Sequence, residues 1–569
     1  DAGSDWRTLR LIDVDSGRTL GDAVQWVKFS QTAWDGRSEG FFYSRFAAPG
    51  PGEAFRSTNL GQSLYYHRIG TSQGQDQLIY ATPDRPRLSH QAQVTADGRW
   101  LVVSSFEGID PRREIHVAPL TGGPIVLRRL VRGPAQDWRL IGSRGSTLYF
   151  LTDHRAPHRR VVTLDAANPR RRAQEIVPER AQTLVGGALV GDRLILASMN
   201  GAQTIAELVE LDGRRVGDVP LPGFGTAAGF GGRSGDPETF FSFSGFVTPA
   251  SIYRFDTATR QFQLFAQPDL PFDPNDYGIE QRLYPSKDGT MIPLTILRKR
   301  ALADSATAAP TILYGYGGFN ISLTPGYSAT RMAWLEQGGV YAIANLRGGG
   351  EYGKAWHDAG RGANKQNVFD DFIAAAEYLK ANGFTPPDGL AIEGRSNGGL
   401  LVGAVVNQRP DLFAAALPAV GVMDMLRFDR FTAGRYWIDD YGSPADKRDF
   451  PLLYAYSPYH NIAGEADYPA ILVSTADTDD RVVPAHSFKY AAALQAADLG
   501  ARPRLLRVES RAGHGAGKPV DKLIDEYADS YAFAAHFTGL AIAPRPAAAP
   551  RSAAGQPAHV MPPLVAGGQ

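Results

Sequence analysis

One pattern recurs through the first half of this chain and limits its fold more than any other. A turn containing Gly or Asp leads into an apolar strand, then a gap, then a second strand ending near Asp. It reads Asp97-Gly-Arg-Trp-Leu-Val-Val-Ser104 followed by Glu114-Ile-His-Val117, then Ser146-Thr-Leu-Tyr-Phe-Leu151 followed by Val161-Val-Thr-Leu-Asp165. It returns as Asp192-Arg-Leu-Ile-Leu-Ala197 with Ala206-Glu-Leu-Val-Glu-Leu-Asp212, and as Glu238-Thr-Phe-Phe-Ser-Phe243 with Ser251-Ile-Tyr-Arg-Phe-Asp256. An earlier version, Gly40-Phe-Phe-Tyr-Ser44 then Leu64-Tyr-Tyr-His67, has a longer insert. A four-stranded unit of about 40–50 residues is the size of a β-propeller blade. The less favoured alternative is a β-sandwich whose strands resemble one another by chance. Five full blades are expected, and Thr8-Leu-Arg-Leu-Ile-Asp-Val-Asp15 reads as the later strand of a further, partial one.

From about residue 275 the texture changes to short apolar strands alternating with amphipathic helices. Ala309–Tyr314, Val340–Ala344, Leu390–Glu393 and Ala470–Ser474 read as strands. Phe369, Phe372, Ile373, Ala376 and Leu379 fall on one face of a helix that stops at Gly383. This alternation predicts a doubly wound, mostly parallel sheet with helices on both faces. Ala541–Gln569 is rich in Pro, Ala and Gly without periodicity and is expected to be a disordered tail.

Composition removes several classes of function. Lys plus Arg and Asp plus Glu both number 59, so there is no basic excess of the kind that marks a nucleic-acid binder. No apolar run approaches the roughly 18 residues of a membrane span. The absence of cysteine excludes disulfides, zinc–thiolate sites and cysteine nucleophiles. Neither a metal site nor a cofactor is expected.

The strongest local signal is Gly394-Arg-Ser-Asn-Gly398. It follows a predicted strand and precedes the helical run Leu400–Val406, which is the setting of the α/β-hydrolase nucleophile elbow. A serine needs a base, and the base needs an orienting acid, in the chain order Ser, Asp or Glu, His. Of the downstream histidines His460, His486, His514, His536 and His559, the one in Gly513-His-Gly515 lies in a glycine-flanked loop after the strand-like run Leu505–Val508. For the acid, Asp477, Asp479 and Asp480 are equivalent on spacing alone. The oxyanion donors expected are the backbone N–H of Asn397 and a group from Tyr314-Gly-Tyr-Gly-Gly-Phe319, which is equally readable as a strand-end turn with buried aromatics.

Five ordered motifs now converge. Tyr314-Gly-Tyr-Gly-Gly-Phe-Asn320, Asn345-Leu-Arg-Gly-Gly-Gly-Glu-Tyr-Gly353, Arg395-Ser-Asn-Gly-Gly399, Asp479-Asp-Arg-Val-Val-Pro484 and Gly513-His-Gly-Ala-Gly-Lys518 resemble the prolyl oligopeptidase family from about residue 5 to 540. The resemblance implies a seven-bladed propeller capping an α/β-hydrolase domain, here 1–270 (N-terminally incomplete) and 271–541, with 542–569 as tail. It implies the triad Ser396, Asp479 and His514, and the oxyanion donors Tyr316 and Asn397. It also implies Arg481 as the grip on a substrate carbonyl, and a proline pocket of Phe319, Val422, Trp437, Tyr441 and Val482.

The implied activity is serine endopeptidase action on the carboxyl side of proline in short peptides, by a monomer with no nucleic-acid or membrane partner. The rivals are an oligopeptidase cutting after Lys or Arg, which needs acidic pocket residues, and an inactive peptide-binding scaffold. The resemblance leans towards a cytoplasmic location, with export as the alternative. Asp1 follows neither an initiator Met nor a secretion signal. Matched to the family, about the N-terminal fifth is expected to be missing, leaving an open propeller edge and weakened folding or hydrolysis.

Overall fold

The structure is a computed structural model that describes residues 3–233, 235–304, 307–515 and 517–543. Among the described residues, five sheets precede residue 270. Four are antiparallel meanders of four strands each, covering 88–131, 138–177, 183–218 and 226–266. The first sheet has six strands, in which Arg7–Ile12 and Thr19–Val27 form a hairpin. A single ladder pair, Val27 with Arg45, joins that hairpin to the strand Gly40–Arg45. The segment read as part of a further blade is therefore half of a hairpin that shares one ladder pair with its neighbour and is otherwise held by side chains, including Asp22 to His67 and Gln25 to Gln73.

The central strands are apolar without clean alternation because neighbouring sheets cover both faces. In Thr147–Thr152 every residue after the first is buried. Leu148 and Phe150 pack with Val102, Ile115 and Val117 of the preceding sheet, whereas Tyr149 and Leu151 pack with Leu189, Leu194 and Leu196 of the following one. Each such side chain contributes about 1.5–3 kcal/mol through burial. The repeat thus works as a stack, with each sheet supplying the apolar cover for the next.

The second half is built on one sheet of eight strands: β1 (Tyr277–Pro285), β2 (Met291–Lys299), β3 (Thr311–Gly315), β4 (Val340–Ala344), β5 (Leu390–Arg395), β6 (Ala415–Ala419), β7 (Ala470–Ala476) and β8 (Arg504–Glu509). Their spatial order is β1-β2-β4-β3-β5-β6-β7-β8. The first two strands are antiparallel, β2 runs antiparallel to β4, and every pairing from β4 to β8 is parallel. This is the mixed α/β-hydrolase arrangement expected from the strand–helix alternation.

Five helices cover the sheet: α1 (Ala329–Glu336), α2 (Gln366–Ala381), α3 (Asn397–Gln408), α4 (Ala485–Ala496) and α5 (Val520–Thr538). Successive strand residues point to opposite faces. Leu313 of β3 accordingly joins Phe372, Leu401 and Tyr490 from α2, α3 and α4, while Ile312 joins Leu335 and Tyr531 from α1 and α5. On α2 the anticipated face is buried at Phe369, Phe372, Ala376 and Leu379, with Ile373 at its half-buried edge. The tail expected over 542–569 lies outside the described residues from 544 onward. No helix among the described residues is long and apolar enough to cross a membrane.

Candidate active site

Ser396 sits where β5 ends and α3 begins, with φ 60° and ψ −118°. That conformation costs a non-glycine residue about 1–3 kcal/mol, and it requires glycine on both sides. A Cβ on Gly394 would stand 2.2 Å from the Gly398 carbonyl oxygen, and one on Gly398 would stand 2.8 Å from the Gly315 oxygen. The Ser396 N–H donates to the Ala419 carbonyl on β6 at 2.9 Å, pinning the turn to the sheet.

The three aspartates after β7, indistinguishable by spacing, have three different surroundings. Asp477 is exposed. Asp480 is buried and accepts from Lys28 Nζ at 2.7 Å. Asp479 is buried, and its Oδ1 accepts from the N–H groups of Arg481 and Val482, both at 2.9 Å. Its Oδ2 lies 2.7 Å from His514 Nδ1. Of the three, Asp479 is the one in contact with the loop histidine.

The other downstream histidines have different roles. His460 pairs with Ser457, and His536 is exposed on α5. His486 on α4 is buried, accepts the Asp424 N–H, and is pushed down to about 4 by that burial. His559 lies outside the described residues.

Tyr316 follows β3, and its phenol lies beside the Ser396 side chain. Burial, reinforced by Tyr314 and Asp440 and opposed by Ser396, which acts to lower its pKa, pushes its phenol well above the ordinary range, so it remains a proton-bearing donor. Asn397 opens α3, where the first-turn N–H groups have no partner within the helix. Beside these donors Phe319 stands edge-on to Tyr441 with ring centroids 5.2 Å apart, and Tyr316 is 6.4 Å from Phe319. Phe428 extends the wall, edge-on to Tyr441 at 5.3 Å and stacked with Trp437 at 6.2 Å. Val422, Trp437, Tyr441 and Val482 belong to one buried cluster, against which Phe319 packs. Ring contacts thus connect Phe319, Tyr441 and, through Phe428, Trp437, while Val422 and Val482 belong to the same extended core.

Residues 1–268 match the family profile "Prolyl oligopeptidase, N-terminal beta-propeller domain", and residues 325–541 match "Prolyl oligopeptidase family". A prolyl endopeptidase of Elizabethkingia miricola is 41% identical over 95% of this chain and 76% of its own length. The chain belongs to the prolyl oligopeptidase family.

Among solved members of the prolyl oligopeptidase family, one of two prolyl endopeptidases studied for inter-domain dynamics is 50% identical. That match has a TM-score of 0.65 and covers 96% of this chain and 77% of the other. Prolyl oligopeptidase B from Galerina marginata bound to a 35-residue substrate is 33% identical, with a TM-score of 0.88 over 95% of this chain and 78% of the other.

Several residues around this candidate site carried no signal in the sequence, because they come from the propeller half. Asp5 forms a two-pronged ion pair with Arg481, and Lys28, itself fully buried, reaches Asp480. Phe29, Phe106 and Ile109 line a cavity of about 420 Å³ together with Trp437 and Arg481. Tyr436 and Arg435, on the short turn before Trp437, both donate to the Asn59 carbonyl. Nothing in the local pattern around Asp5 or Lys28 marks them, since each acts on a loop more than 450 positions away.

Proposed function

We propose that the protein is a serine endopeptidase that hydrolyses proline-containing oligopeptides on the carboxyl side of proline through an acyl-enzyme. One juxtaposition carries this reading: the Ser396 hydroxyl and the uncharged Phe319–Tyr441 slot are both in contact with Tyr316. A pyrrolidine ring has no charge to pair, so an apolar aromatic slot is a fitting selector. The curated relatives named prolyl endopeptidase support the same specificity.

In the proposed cycle His514 takes the Ser396 proton as the oxygen attacks the prolyl carbonyl. Asp479 holds the imidazole with Nδ1–H towards its Oδ2 and stabilises the imidazolium. Tyr316 and the Asn397 N–H receive the oxyanion. His514 then protonates the departing amine, the acyl-enzyme forms, and water repeats the sequence to release the prolyl carboxylate. Arg481 grips a substrate carbonyl on the amino side, and the propeller limits entry to short peptides.

The test is hydrolysis of matched glycyl-prolyl and glycyl-arginyl anilides by the full chain. Release from the prolyl substrate, abolished in S396A, is expected. Preferential release from the arginyl substrate would overturn the proline assignment, and hydrolysis surviving in S396A would overturn the nucleophile.

A further inference from the structure

The two proposed oxyanion donors belong to different elements, Tyr316 to the loop after β3 and Asn397 to the start of α3. The ladder joining β3 to β5 ends at the pair Tyr314 with Glu393, before either donor. Beyond that point the backbone of the two elements is connected through side chains. Asn397 Nδ2 donates to the Tyr316 carbonyl. Asn397 Oδ1 accepts from Tyr441 OH at 3.0 Å and from Lys365 Nζ at 3.0 Å. Lys365 Nζ also donates to the Gly317 carbonyl at 2.8 Å.

Lys365 is therefore bonded to both sides of the donor pair at once. It sits at the start of α2, 1% exposed, with its ammonium 3.9 Å from Asp440 Oδ2 and 5.3 Å from the Tyr441 ring centre. Asp440 in turn accepts the Phe319 N–H at 3.0 Å and lies 2.7 Å from His357 Nε2. A buried ammonium is costly unless its hydrogen bonds are made, and apolar residues of similar volume are often as stable. Its made hydrogen bonds offset that cost and fix the geometry of the groups that accept them. Burial lowers the Lys365 pKa to about 8, opposed by Asp440. The neutral amine retains two N–H groups for the same two acceptors.

We propose that Lys365 is a positioning residue for acylation: by tying Asn397 Oδ1 to the Gly317 carbonyl, it holds the Tyr316 hydroxyl and the Asn397 N–H at the spacing a tetrahedral oxyanion needs. The inference rests on the acyl-transfer reading of Ser396, not on the preference for proline.

The test compares K365M, N397A and the double variant with the unaltered full chain, each shown folded by its melting curve. Three quantities are read: kcat and KM on a glycyl-prolyl anilide, the rate at which a fluorophosphonate labels Ser396, and the affinity of a peptidyl pyrrolidide, whose ring carries no carbonyl at the position Ser396 attacks. Losing one oxyanion donor costs about 10²–10³ in rate, so K365M should lose about 100-fold in both kcat and labelling. KM and pyrrolidide affinity should stay within about threefold, and the double variant should be no worse than the poorer single variant.

A folded K365M with unchanged kcat and labelling overturns the proposal. So does a loss of pyrrolidide affinity equal to the loss in kcat, or single effects that multiply in the double variant. If K365M does not fold, N397A reads the same link, and an unimpaired N397A overturns it. If the unaltered chain is labelled but cuts no prolyl peptide, the proline reading fails, and the labelling rates alone decide this inference. If it is not labelled, both readings are overturned.

Discussion

Arg481 holds Asp5 with two arms of its guanidinium, Nε 2.9 Å from Oδ2 and Nη2 2.6 Å from Oδ1, across almost the whole length of the chain. Asp5 is itself anchored, since its N–H donates to Asp480 Oδ1 at 2.8 Å. The propeller half thereby holds in place the arginine proposed to grip substrate, and the ion pair leaves Nη1 uncommitted to Asp5.

For D5A we expect KM on a prolyl tripeptide anilide to rise about 3–10-fold with kcat changed much less, the pattern of lost uniform binding. R481A should raise KM at least as far, and the two should not add because they share one contact. Steady-state kinetics checks this. A fall in KM for D5A would mean instead that Asp5 competes with substrate for the guanidinium.

Removing the phenolic donor in Y316F should lower kcat by about 10²–10³. Because burial keeps the phenol protonated well above its ordinary range, the ratio of wild-type to Y316F rates should not change between neutral pH and pH 9. Paired pH–rate profiles measure it. A ratio collapsing in that interval would show that the phenol ionises within it.

Two histidines make acid stability predictable. Burial pushes His90 in the propeller and His486 on α4 down to about 4, against an ordinary value near 6.5. Both stay neutral in the folded chain while the unfolded chain binds protons. Their stability contribution is fully present above about pH 6.5 and is lost as pH falls towards 4. Proton uptake on unfolding near pH 5 should fall by about one in H486N, whose amide oxygen can still accept the Asp424 N–H. Calorimetry in buffers of different ionisation enthalpy reads it, and unchanged uptake would contradict the assignment.

The Lys28–Asp480 pair is buried on both sides, with Lys28 Nζ 4.9 Å from the Trp6 ring centre. Cutting one partner leaves an unpaired buried charge, a cost of about 3–5 kcal/mol, whereas removing both is far milder. K28M should therefore lower the melting temperature clearly, and K28M/D480L should recover much of the loss. Equal melting temperatures for K28M and the double variant would show that the pair contributes no such coupling.

The sheet repeat, the strand–helix alternation and the strained serine turn are all legible in the chain because each is a local requirement. Leu148 to Leu151 must be apolar on both faces, Phe369 to Leu379 must present one stripe, and Gly394 and Gly398 must lack a side chain for backbone to pass at contact distance. Such demands act within a few residues and leave a pattern there. Asp479 is different. Nothing within Asp477-Thr-Asp-Asp480 separates the three carboxylates by residue type, and the resemblance to a family was needed to prefer one. In the fold, one faces solvent, one faces His514 and one faces Lys28.

Sequence alone therefore determined the architecture of two halves and the nucleophile's turn, since those follow from periodicity and backbone sterics. Tertiary structure decided which aspartate meets the histidine and which cation lies buried behind the proposed oxyanion donors. It also decided that the propeller supplies partners for the Asp480–Arg481 loop. Those contacts depend on distances between segments far apart in the chain, and a side chain's charge does not record in its neighbours which distant group will neutralise it.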